Sequence, residues 1–104
     1  MPAQDRIFMP KVLLYITSKI VWTFLFFGTD SNENRAHVHV GKKGTEKLCK
    51  IWLEPNVEIE SPGSLTEKQS SEVLEIACRY KRQLLDQWNI FKSGGKVNIQ
   101  KIKE

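Results

Sequence analysis

The sequence predicts an α+β domain in which an antiparallel β-meander of four to five strands packs on one long C-terminal helix. Three observations carry this. The first half holds short runs rich in β-branched and aromatic residues that alternate at the strand period of two. Clusters of Gly, Asn, Asp, Ser and Pro separate these runs. From Thr66 onward the apolar residues change to spacings of three and four, the helical period.

The elements follow in order. Residues 1–10 hold two prolines and no period, so they are expected to be irregular. Val12 to Ile16 and Ile20 to Phe27 read as two strands joined by a tight turn at Thr17-Ser18-Lys19. Gly28 to Asn34 is a run of turn formers and reads as a loop. It leads into Arg35-Ala36-His37-Val38-His39-Val40, a strand that holds the only two histidines. Gly41-Lys42-Lys43-Gly44 signals a hairpin into a strand from Lys47 to Leu53. A turn symmetric about Lys42-Lys43 pairs Ala36 with Cys49 and His39 with Glu46. Pro55 ends that strand, and Val57-Glu58-Ile59 fits a further short one before the break at Ser61-Pro62-Gly63-Ser64. Thr66 and Gln69 form a capping-box pair, with Glu67 placed to meet the helix dipole. Val73, Ile76, Ala77, Tyr80, Leu84, Trp88 and Phe91 then make one apolar stripe along a helix of about seven turns. Ser93-Gly94-Gly95 stops it. The remainder, Lys96 to Ile102, alternates briefly and reads as an added edge strand or a disordered tail.

A chain of 104 residues, 40% hydrophobic, has material for one modest core. The expected organisation is an irregular segment over 1–10, a single α+β domain over 11–92 and a basic tail over 93–104. Much of the net charge of +4 sits from Lys92 onward, where Lys92, Lys96, Lys101 and Lys103 face Glu104 alone. A nucleic-acid partner is therefore weakly supported, because phosphate affinity needs cations gathered on one face. Acidic residues Glu72, Glu75 and Asp86 interrupt the group of Arg79, Lys81, Arg82, Lys42 and Lys43. The apolar stretch from Val12 to Phe27 is broken by Thr17, Ser18 and Lys19 and falls short of the about 20 apolar residues of a membrane span. Neither a signal peptide nor a membrane segment is expected. Cys49 and Cys78 have no metal-ligand spacing and are expected as two buried free thiols of a cytosolic protein. Neither is placed for nucleophilic catalysis.

The best candidate site is the histidine strand. Alternate strand residues share a face, so Arg35, His37 and His39 stand together, neighbouring histidines about 6.5 to 7 Å apart. In the expected register they share that face with Glu46, Lys50 and Trp52. The predicted binding residues are thus Arg35, His37, His39, Lys50 and Trp52. The pattern fits acid/base chemistry near neutral pH, phosphate contact helped by Arg35, or a metal site. It equally fits two partly exposed histidines on the polar face of a hairpin. A metal would need a third ligand beside His37 and His39, from Asp30, Glu33 or Glu46. Trp52 beside Lys50 suits a nucleotide or RNA surface or packing beneath the helix. No cofactor is named by the sequence.

Together, Phe24-Leu25-Phe26-Phe27, Asp30-Ser31-Asn32-Glu33-Asn34, His37-Val38-His39-Val40, Cys49-Lys50-Ile51-Trp52-Leu53 and Leu84-Leu85-Asp86-Gln87-Trp88-Asn89-Ile90-Phe91 resemble a family of small bacterial proteins, domain of unknown function 4160. The resemblance spans roughly Pro10 to Phe91. Relatives often carry proline where Ala36 stands, and some have an earlier histidine that this loop lacks. The resemblance implies no named reaction. It implies a neighbour-encoded small partner protein, in the manner of a toxin–antitoxin pair. Two functions are therefore expected: a cytosolic protein- or ligand-binding module that forms one half of such a pair, or a nuclease-like or metal-assisted hydrolase built on His37 and His39. Self-association through the Lys96 to Ile102 edge is a further expectation.

Overall fold

Six strands form one sheet in the order β5-β4-β3-β2-β1-β6, with two helices packed against it. This computed structural model describes residues 8–42 and 48–104. The strands are β1 (Lys11–Ile16), β2 (Val21–Leu25), β3 (His37–Lys42), β4 (Cys49–Trp52), β5 (Glu58–Ser61) and β6 (Gln100–Lys103). The helices are α1 (Glu67–Arg79) and α2 (Lys81–Lys92), and a 3-10 turn over Gly28–Asn32 links β2 to β3. The first five strands make the expected antiparallel meander.

The tail is a sixth strand, which pairs with β1 in parallel from Leu13↔Gln100 to Ile16↔Lys103. It is anchored beyond the ladder too. Tyr15 Oη donates to Glu104 Oε2 at 3.0 Å, and Arg79 donates to Tyr15 Oη at 3.3 Å. The strand is parallel because the two helices carry the chain back across the sheet before it rejoins at the β1 edge, a connection too long for a hairpin.

The single long helix is corrected to two. Thr66 caps α1 as expected: its Oγ1 accepts from Gln69 N at 3.1 Å while Gln69 Oε1 accepts from Thr66 N at 3.0 Å. The break falls at Tyr80, whose φ of −106° and ψ of 22° leave the helical region. Residues 66–92 contain neither proline nor glycine, so the sequence carries no breaker there. The stripe continues across the break. Val73, Ile76 and Ala77 of α1 and Leu84, Trp88 and Phe91 of α2 are all buried in one core. A break allows each half to follow a sheet surface that turns with strand twist. The Tyr80 ring sits against Tyr15, centroids 6.1 Å apart.

One face of the sheet supplies much of the rest of that core: Leu13, Tyr15, Trp22, Phe24, Val38, Val40, Cys49 and Ile51. Trp22 Nε1 donates to Glu72 Oε2 at 2.8 Å and ties α1 to β2. The apolar stretch expected not to span a membrane forms β1 and β2, and no helix among the described residues is long and apolar enough to cross one.

The β3–β4 register also differs from expectation. Cys49 pairs with Val40, not Ala36, and His39 with Lys50. The connection is longer than a two-residue turn at Lys42-Lys43, which displaces the pairing by four positions. An even displacement preserves the faces, so the predicted company of the histidines survives. Glu46 and Lys43 lie outside the described residues. The thiols are free, but only Cys49 is buried; Cys78 is exposed on α1.

Candidate functional site

Strand alternation places His37 and His39 on the opposite face from Val38 and Val40, yet both histidines are buried, with His37 0% and His39 7% exposed. The expectation of partly exposed polar-face histidines is thereby corrected. The reason is tertiary. The 3-10 turn folds over the strand, and aromatic rings wall it in: Phe27 lies 4.1 Å from His39 and Trp52 lies 5.6 Å from His37, centroid to centroid. Trp88, reaching in from α2, lies 5.0 Å from His37 and meets Phe26 edge-on at 5.4 Å.

Asp30 is the centre of the site. It sits within the turn because its Oδ2 accepts from Phe27 N at 2.7 Å, the local bond by which a short acidic side chain stabilises such a turn. That bond aims the buried carboxylate at the strand. Oδ2 also lies 3.1 Å from His39 Nε2, and Oδ1 lies 3.1 Å from His37 Nε2. Asp30, His37 and His39 therefore present three donor atoms within 4.8 Å of one another.

The two imidazoles are held differently. His39 Nε2 makes a hydrogen bond to Oδ2. His37 Nδ1 lies 2.9 Å from the carbonyl oxygen of Arg35. A carbonyl oxygen only accepts, so Nδ1 carries the proton and, in the neutral ring, Nε2 presents a lone pair. That lone pair points into a carboxylate. Although Oδ1 is close, both atoms are acceptors, and Nε2 is a buried polar atom with no hydrogen-bond partner among the described residues. Such an orphan is costly, on the order of 1–3 kcal/mol, unless a second proton or a cation fills the gap.

Burial lowers the pKa of His39 below its usual value, with Asp30 opposing the shift and His37 and Lys50 adding to it. The neutral ring is thus favoured, the form that ligates metals. Burial pushes the Cys49 thiol up to about 11, which leaves it inert as a nucleophile.

The other predicted binding residues gather at the rim. Trp52 stands opposite His37 in the ladder, with Arg35 Cζ 4.1 Å and Lys50 Nζ 4.6 Å from its ring centroid. Arg35 is further fixed by Glu54 O at 2.8 Å and Glu58 Oε1 at 3.0 Å. Two cations already lie on Trp52, so a base stacking there must displace one of them. Glu33, the residue after the turn's Asn32, lies with Oε2 3.8 Å from His37 Nε2 and Oε1 3.5 Å from Lys50 Nζ. The structure thus brings together Arg35, His37, His39, Lys50 and Trp52, and of the acidic candidates Asp30 and Glu33 join them. Sequence reasoning did not place Phe27 and Trp88 in the site. Trp88 belongs to the core stripe, and its contact with His37 has no signature in spacing.

Residues 22–89 match the model of a protein family described as a domain of unknown function (DUF4160). No curated protein and no solved structure matches the chain.

Proposed function

The chain belongs to the DUF4160 family, and we propose that it is a ligand-binding module whose ligand is a divalent transition-metal ion held by Asp30, His37 and His39. The observation that carries this reading is the orphaned Nε2 of His37, buried and turned toward a carboxylate that already engages His39. Three features support it. Metal-bonded nitrogen and oxygen at about 2.1 Å stand about 2.9 to 3.4 Å apart in tetrahedral or octahedral sites, and each histidine nitrogen lies 3.1 Å from one oxygen of Asp30, His37 from Oδ1 and His39 from Oδ2. The Nδ1–H of His37 donates to a backbone carbonyl, the outer contact that orients metal-ligating histidines. Two imidazoles and a carboxylate suit zinc or iron(II) better than magnesium or calcium, which prefer oxygen.

A metal-assisted hydrolase is the extension of this reading, since a divalent ion with one open position activates water near neutral pH. The toxin–antitoxin-like partnership rests on the family resemblance alone.

The test is calorimetric titration of the chelator-stripped full chain with Zn2+, beside Mg2+ as a control. One Zn2+ per chain is expected, lost in His37→Ala and in His39→Gln, each shown by circular dichroism to be folded. At a hundredfold excess over Kd the ion should stabilise the fold by about 2.7 kcal/mol. No binding by wild type, or binding unchanged in both variants, defeats the proposal.

A further inference from the structure

We propose that Glu33 is the fourth ligand of this ion and that Lys50 competes for it, so that the site passes between a closed set of four protein donors and an open set of three. The inference rests on the metal-binding reading and decides what kind of site it is. Closed tetrahedral sets of four protein groups are structural, whereas catalytic sites keep a position for water or substrate.

Glu33 is placed for both positions. Its backbone N–H donates to Asp30 O at 2.9 Å at the end of the 3-10 turn, so one turn supplies both carboxylates. One oxygen of its side chain lies 3.8 Å from His37 Nε2 while the other lies 3.5 Å from Lys50 Nζ. The first separation exceeds that of neighbouring ligands by under about 1 Å, a movement within reach of a rotation about the side-chain bonds. The side chain is 45% exposed, unlike the 4% of Asp30, and so has room to turn. Lys50 pulls in the opposite direction. Its ammonium is held 4.6 Å from the Trp52 centroid and stays at the rim when Glu33 leaves.

The visible absorption of bound Co2+ tests the assignment, because the position and strength of its bands change when a carboxylate ligand is exchanged for water. The full chain is titrated with Co2+ and then with Zn2+ in competition. Lys50→Gln should change the visible band and tighten binding. Glu33→Gln should change the band in the opposite sense and lower affinity by about tenfold or more, the scale of losing a group that supports a metal site. Identical spectra and affinities in wild type and both variants overturn the role of Glu33 while leaving the three-residue site standing. Absence of Co2+ binding by wild type overturns the site and this inference with it.

Discussion

Replacing Asp30 with asparagine separates the folding role of this carboxylate from its ligand role. In Asp30→Ala, Phe27 N–H loses its acceptor at 2.7 Å and His39 Nε2–H loses its acceptor at 3.1 Å. At about 1–3 kcal/mol for each donor stranded away from water, the loss is about 2–6 kcal/mol, a large share of the about 5–15 kcal/mol of a typical domain. Asparagine behaves otherwise. Its amide oxygen stands where Oδ2 serves both donors, and its NH2 replaces Oδ1, 3.1 Å from the lone pair of His37 Nε2. A repulsive contact becomes a neutral hydrogen bond worth about 0.5–1.5 kcal/mol, which offsets the weaker acceptor strength of an amide. Urea unfolding in EDTA should therefore place Asp30→Asn within about 1 kcal/mol of wild type, with an unchanged m-value, and Asp30→Ala well below both. Zn2+ affinity should fall in both variants, since a neutral amide replaces an anionic ligand. Equal destabilisation by asparagine and alanine would refute the reasoning. It would mean that His37 is doubly protonated in the native state, so that an imidazolium–carboxylate pair holds the site.

Trp88→Ala removes a ring packed on Phe26, Phe91 and His37 and should cost about 3–5 kcal/mol in urea unfolding; a loss under about 1 kcal/mol would show that the ring is not a core element. The lowered pKa of His39 makes the unfolded state bind the proton more readily, so this contribution is fully present above the ordinary value of 6.5 and declines as pH falls below it. Metal-free protein should lose stability as pH falls below 6.5, and His39→Gln should flatten that slope; parallel slopes would remove His39 as the cause. Deleting the chain from Ser93 onward strips β6 from β1 and uncovers that edge. Sedimentation should then show greater association and thermal melting a lower Tm, whereas an unchanged mass and Tm would show that β6 adds nothing to the sheet.

Much of the fold was legible because its signals are local. The Thr66/Gln69 cap, the alternation of β1 to β4 and the loop formers from Gly28 to Asn34 act within a few residues of where they stand. The face shared by Arg35, His37, His39, Lys50 and Trp52 was legible for the same reason: period-two geometry survives any even displacement of the hairpin. The displacement itself was not, since the length of the connection is not set by its glycines. The break at Tyr80 was hidden as well, for the apolar stripe runs through it and no proline or glycine marks it.

The sequence by itself determined that two histidines stand side by side on one strand, and that a carboxylate-bearing turn precedes them. Only the tertiary structure decided that Asp30 turns inward between their Nε2 atoms and that Trp88 arrives from a helix far along the chain. It also decided that both rings leave water. Alternation along a strand is dictated by covalent geometry and chirality. Burial of the polar face depends on which distant side chains fold over it, and that is settled when the whole core closes.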